Sequence, residues 1–131
     1  MKQTVCGVLF AALIALAAGS AQAHHSLSAY DISKTIEFGG TVKRFEWSAP
    51  HCWLILDVPD EKGNSTEWVL EAGTPVVNNR YGWKRDTFKS GDKLTVTVFP
   101  AREGPGHGAL MRVVFPDGRT LDGPLATYLK K

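Results

Sequence analysis

The sequence predicts a mainly β fold in which five strands and one short helix form a single small domain. Two observations lead to this prediction. Apolar and polar residues alternate in several short segments, as they do in strands that bury one face. Glycine, proline, asparagine and aspartate, which favour turns, separate these segments. Between the third and the fourth strand, one segment carries the start signal of a helix instead.

The first two predicted strands are separated by a proline. The first strand covers residues 36–47, and its Gly39-Gly40 pair predicts a bulge or a sharp bend. Pro50 ends it, because proline has no N–H to donate to a neighbouring strand. The second strand, residues 51–58, alternates most clearly. Its apolar face, predicted to lie in the core, consists of Cys52, Leu54, Leu56 and Val58, and its other face carries His51, Trp53, Ile55 and Asp57.

The remaining elements complete the order of an OB-fold. A polar hairpin loop at 60–64 leads to a third strand at 66–71. A helix follows, with Thr74 as its N-cap, Pro75 as its first residue and its end near Tyr81-Gly82. The last elements are a fourth strand at 93–99, a glycine-rich loop at 103–108 and a fifth strand at 110–115. Three strands, a short helix and two strands predict a small five-stranded OB-like barrel over residues 36–131. A β-sandwich is the alternative, and it leaves the helix unexplained.

The first 23 residues predict a cleavable secretory signal. Lys2 supplies positive charge, residues 8–18 are apolar, and Ala21-Gln22-Ala23 offers small residues at the cleavage positions. The apolar run is shorter than the ~20 residues that a spanning helix needs. We therefore expect a periplasmic or secreted protein that begins at His24, with residues 24–35 as an N-terminal arm and no membrane segment after cleavage.

Charge and cysteine content narrow the classes of partner. The mature chain has 14 basic and 13 acidic residues, and this balance argues against a nucleic-acid binder, which needs a concentrated basic face. Cys6 lies in the signal, so Cys52 alone remains and an intramolecular disulfide is excluded. We expect Cys52 to be buried, because a free cysteine behaves as a small apolar residue.

Several segments along the mature chain carry a family resemblance. They are His24-His25-Ser26, Gly40-Thr41-Val42, Glu46-Trp47-Ser48-Ala49-Pro50-His51-Cys52-Trp53, Thr66-Glu67-Trp68, Gly82-Trp83, Ser90-Gly91-Asp92 and Pro116-Asp117-Gly118-Arg119. Together they resemble an uncharacterised bacterial family catalogued as domain of unknown function 6152. Its members usually carry asparagine where this chain has Ala49. The resemblance implies a small exported domain and supplies no activity.

The histidines predict a copper site. With cleavage after Ala23, the α-amino group and the imidazole of His24 can chelate one ion, and an imidazole from His51 would complete a T-shaped nitrogen set that suits Cu(II). His25 offers a second route through the amine, the backbone nitrogen and its imidazole. His107, in the glycine-rich loop, is a further candidate ligand. These parts are analogous to the N-terminal histidine brace of copper proteins.

A metal-free ligand- or protein-interaction domain is the alternative function. Of the four tryptophans we expect at least two to pack in the core, while Trp53 and Trp47 could line a groove for a small ligand or a periplasmic protein. Glu67 and Glu71 are expected to lie about 13 Å apart on a strand and to be solvated. The sequence has no Ser-His-Asp order, phosphate loop or Cys-x-x-Cys pair, so a binding domain is favoured over an enzyme and no catalytic residue is predicted.

Overall fold

The computed structural model describes residues 25–130, and the predicted signal and His24 lie outside this range. The elements are α1 (His25–Ser28), β1 (Ile36–Glu46), β2 (Cys52–Pro59), β3 (Ser65–Ala72), α2 (Pro75–Arg80), β4 (Lys93–Pro100), β5 (His107–Val114), β6 (Thr120–Asp122) and a C-terminal 3-10 helix, Pro124–Lys130. The strands lie in the order β3-β2-β1-β4-β5-β6.

The five long strands close into a barrel. Parallel pairing of β3 with β5 completes the ring, through Val69 with His107, Leu70 with Gly108 and Glu71 with Ala109. The pairs β1–β2, β2–β3, β1–β4 and β4–β5 are antiparallel. This order, with α2 between β3 and β4, confirms the predicted OB-like barrel.

The long strand β1 serves both halves of the barrel. Residues 36–41 pair with β4, and residues 41–46 pair with β2. At Gly40, a Cβ atom would lie 3.1 Å from the Val58 side chain and 3.2 Å from the Asp57 carbonyl oxygen, so glycine permits the close approach of β2. The register shift falls between Val42 and Arg44, so of the predicted bulge or sharp bend at the glycine pair, the position of the bulge was wrong.

Helix α2 begins as its sequence predicts. The Thr74 side chain accepts a hydrogen bond from the Val77 backbone N–H at 3.2 Å, and Pro75 is the first helical residue. The helix ends at Arg80, and Gly82 follows with a φ of 84°. Within residues 25–130, no helix combines the length and the apolar character needed to cross a membrane.

The core lies inside the barrel and confirms the inward face of β2. Cys52, Leu54 and Leu56 have no exposed surface, and Val58 is half-buried. Burial raises the pKa of the Cys52 thiol, so this group stays protonated and inert. Of the tryptophans, Trp83 is fully buried, while Trp47 and Trp68 pack against the core with part of their surface exposed. The expectation that at least two tryptophans pack in the core is therefore confirmed.

Strand β5 begins three residues earlier than its sequence predicts. His107 is its first residue, because residues 107–109 pair with β3 and close the barrel. The assignment of His107 to the glycine-rich loop at 103–108 was therefore wrong. Its side chain remains exposed at the barrel surface.

The N-terminal arm is attached to the barrel. After α1, Tyr30 is buried and forms an antiparallel bridge with Ala101 at the end of β4. The Asp31 N–H donates to the Pro100 carbonyl, and the Arg102 N–H donates to the Ala29 carbonyl, both at 2.9 Å. These backbone bonds fix residues 29–31 against one end of the barrel.

Candidate functional site

A half-open cavity of about 370 Å³ lies where the arm meets the barrel, and we call it the arm cavity. The arm, the segment before β2, the end of β3, α2, β5 and the C-terminal helix all contribute to its wall. Its lining residues are Leu27, Tyr30, His51, Glu71, Ala72, Gly73, Thr74, Val77, Ala109, Pro124 and Leu125. Most of these are apolar, and the ionisable groups are Tyr30, His51 and Glu71.

Gly73 sets the shape of one wall. A Cβ atom at this position would lie 2.6 Å from the Oδ1 of buried Asn78 and 2.9 Å from the Cγ of Pro124. The Asn78 side chain donates to the Gly73 carbonyl at 3.0 Å, and the Cys52 N–H donates to the same carbonyl at 3.1 Å. The wall between β2 and α2 therefore depends on the absence of a side chain at residue 73.

The polar end of the arm cavity contains three interacting side chains. The Nδ1 atom of His51 lies 3.0 Å from Oε1 of Glu71, and the Tyr30 hydroxyl donates to Oε2 of Glu71 at 2.6 Å. The side chain of Glu71 is 13% exposed and that of His51 is 32% exposed. One partly buried carboxylate therefore connects the arm to the imidazole.

Strand geometry explains why these groups meet. In the β2–β3 hairpin Glu71 pairs with Trp53, and successive residues of a strand point to opposite faces. Leu70 and Ala72 are buried in the barrel, so Glu71 points outwards. His51, two residues before Trp53, follows the same outward parity and reaches the carboxylate across the end of the hairpin.

The contact with Glu71 determines which imidazole nitrogen is available. A carboxylate only accepts hydrogen bonds, so it favours the tautomer with the proton on Nδ1. In the neutral imidazole Nε2 then carries the lone pair, and none of the side chains that the structure describes forms a hydrogen bond with it. Burial, together with the hydrogen bond to Glu71 and its negative charge, raises the pKa of Tyr30, so its hydroxyl remains a donor.

The structure places one of the predicted copper ligands in the arm cavity and describes the two N-terminal histidines less completely. His51 lines the arm cavity. His25 lies in α1, two residues before the cavity residue Leu27, and the structure describes only its backbone. His24 lies outside the described range. Within that range, no group of three or more histidine, cysteine, aspartate or glutamate side chains is arranged to hold a metal.

The other predicted ligand-binding residues lie elsewhere. Trp53 is half-exposed and lines a shallow groove with Ile55, Val69 and His107. Trp47, which follows β1, packs against Phe45 with ring centres 5.8 Å apart and against the core. Neither tryptophan, nor His107, lines the arm cavity.

The sequence reasoning missed Tyr30 and Glu71. The expectation of a solvated carboxylate was wrong for Glu71, whereas Glu67 is exposed and lies 2.9 Å from the Lys43 ammonium group. The hairpin register was the available signal, because pairing across the 60–64 loop places residue 71 opposite residue 53, close to His51. Tyr30 is the only aromatic residue of the 24–35 arm, and no local pattern indicates where it packs.

Fold and site together define a small OB-type barrel with a cavity at a histidine–carboxylate pair. A family model matches residues 12–111, and the chain belongs to this family of unknown function, DUF6152. The resemblance found in the sequence is thereby confirmed. Comparisons with curated proteins and with solved structures gave no match. The function must therefore be inferred from the chemistry of the residues themselves.

Proposed function

We propose that this chain is an exported binding domain that holds Cu(II) at the polar end of the arm cavity. The ligands are the α-amino group and imidazole of His24 and the imidazole of His51. The position of His51 is the observation that supports this most. Its Nδ1 lies 3.0 Å from a carboxylate oxygen, so in the neutral imidazole Nε2 carries the lone pair, which is the usual arrangement around a metal-binding histidine.

The arm gives a second line of support. Leu27 and His51 line the same cavity, and three peptide units separate residue 27 from residue 24. Three units span about 11 Å at most, so a mature N-terminus at His24 would lie within about 11 Å of residue 27, which is within reach of this end of the barrel. Cu(II) favours nitrogen ligands in a planar or tetragonal set, which the amine and two imidazoles supply.

The test is a titration of the processed protein, which begins at His24, with Cu(II). We expect tight binding that weakens by more than about tenfold when Ala23 is retained, because an N-terminal extension converts the amine into an amide and removes the chelate. His51→Ala should weaken binding as well. The affinity is measured by competition with a chelator of known strength.

His107→Ala is the matched control, because His107 is an exposed histidine outside the arm cavity. This variant should bind Cu(II) as tightly as the parent protein. Equal affinity of the processed and the extended proteins would contradict the proposal, and so would unchanged affinity in His51→Ala.

The groove at Trp53 supports a second candidate, a metal-free interaction domain. Trp53 is half-exposed above Ile55 and Val69, and aromatic side chains of this kind often contact ligands. Such a domain would bind its ligand equally well in the presence of a metal chelator. A Trp53→Ala variant would lose that binding while His51→Ala would retain it.

A further inference from the structure

We infer that the arm cavity also binds a small uncharged molecule with an apolar body and one hydroxyl group, without any metal. This site goes beyond the proposed copper function, because it requires neither His24 nor Cu(II). The two sites share His51. They can therefore be tested separately on the same protein.

The apolar lining of the arm cavity explains why the inferred ligand has an apolar body. Away from the polar end, the lining consists of Leu27, Val77, Ala109, Pro124 and Leu125. The volume of about 370 Å³ lies at the lower end of the range of about 300–1,000 Å³ for small-molecule sites. A compact ligand with an apolar surface therefore fits this space, since it removes apolar surface from water.

The polar end of the arm cavity explains why the inferred ligand carries a hydroxyl group. Both oxygens of Glu71 already have protein partners, His51 on one side and Tyr30 on the other. The Tyr30 proton points to Glu71, so Nε2 of His51 is the group that remains for a ligand. A hydroxyl group can donate to a neutral imidazole or accept from a protonated one, so it is complementary to His51 in both protonation states.

When His51 is neutral, the charge at this end opposes the binding of an acid. Glu71 is an acidic lining residue with a side chain only 13% exposed, and no Lys or Arg is among the described residues that line the arm cavity. A ligand carboxylate would lie close to this negative charge in a largely apolar environment, where repulsion and the loss of hydration both oppose binding. An uncharged hydroxyl avoids both costs.

The experiment compares three molecules of similar size on the processed protein in the presence of EDTA. Phenol has the hydroxyl, toluene replaces it with a methyl group, and benzoate carries a negative charge. Chemical shifts of the backbone amides at Thr74 and Ala109 report binding. We expect phenol to bind with a Kd of about 1 mM. Toluene should bind about 3- to 10-fold more weakly, because it lacks one hydrogen bond. Benzoate should show no detectable binding.

Val77→Phe and Val76→Phe form a matched pair of variants. Val77 lines the cavity, whereas Val76 is 65% exposed in the same turn of α2. Filling the cavity at residue 77 should weaken phenol binding at least tenfold, and the change at residue 76 should leave it unaltered. An amide spectrum with the parent's dispersion establishes that each variant is folded.

The ligand comparison decides the outcome even without the variants. Equal affinity for phenol and toluene, binding of benzoate as tight as that of phenol, or no binding of phenol at all would overturn the inference. If any of these results is obtained while copper binding is intact, the small-molecule site is refuted and the copper site is unaffected. Binding of phenol by a protein that fails the copper test would leave this site standing.

Discussion

Replacement of Trp83 with alanine is expected to lower the free energy of unfolding by about 3–5 kcal/mol, the largest effect on stability that we expect from a single core substitution. Trp83, in the segment that joins α2 to β4, is fully buried, and its ring packs edge-on against Phe88 with the ring centres 5.1 Å apart. Its indole N–H donates to the Asp122 carbonyl at 3.0 Å. The substitution would leave a cavity and remove that hydrogen bond.

Urea unfolding followed by circular dichroism measures this effect. Small domains have a total stability of about 5–15 kcal/mol, so the midpoint should move to a much lower urea concentration. Trp83→Phe retains an aromatic ring and should cost less. Val76→Ala, at an exposed position, should remain within about 0.5 kcal/mol of the parent protein. A midpoint for Trp83→Ala equal to that of Val76→Ala would contradict the assignment of Trp83 to the core.

Glu71→Gln is expected to weaken Cu(II) binding by about 10- to 100-fold, although Glu71 is not itself a proposed ligand. The carboxylate offers an acceptor oxygen to both His51 and Tyr30, whereas an amide has one acceptor oxygen and an NH2 group that only donates. One of the two partners therefore loses its acceptor, and the orientation of the imidazole is no longer fixed. The affinity is measured by the same chelator competition.

Glu67→Gln is the matched control for this substitution. Glu67 lies on the same strand and the same face, but it is exposed and contacts Lys43 instead of the cavity residues. Both changes remove one negative charge, so a general electrostatic effect would appear in both variants. A loss confined to Glu71→Gln supports the positioning role, and equal losses would contradict it.

Local sequence signals were sufficient for the five long strands and α2, but they did not indicate α1, β6 or the C-terminal 3-10 helix. The alternation along β2 identified its buried face, because strand side chains alternate with a period of two residues. Thr74 and Pro75 identified the start of α2, because capping and a fixed proline φ act within one helical turn. The order of these elements was then enough to predict the OB-like barrel.

Contacts between distant residues were not visible in those signals. Closure of the barrel depends on parallel pairing of β3 with β5, which turns His107 from a predicted loop residue into a strand residue. The Tyr30–Glu71 hydrogen bond joins residues 41 positions apart. The periodicity of either segment carries no information about such a partner, so the sequence identified His51 and missed the two groups beside it.

The most direct test of the copper site is the number of imidazole groups bound to Cu(II), measured by pulsed electron paramagnetic resonance on the processed protein. The proposed site predicts two imidazoles, from His24 and His51, and a single imidazole in His51→Ala. A single imidazole in the parent protein, or a spectrum that does not change in His51→Ala, would contradict a copper site formed jointly by the arm and the barrel.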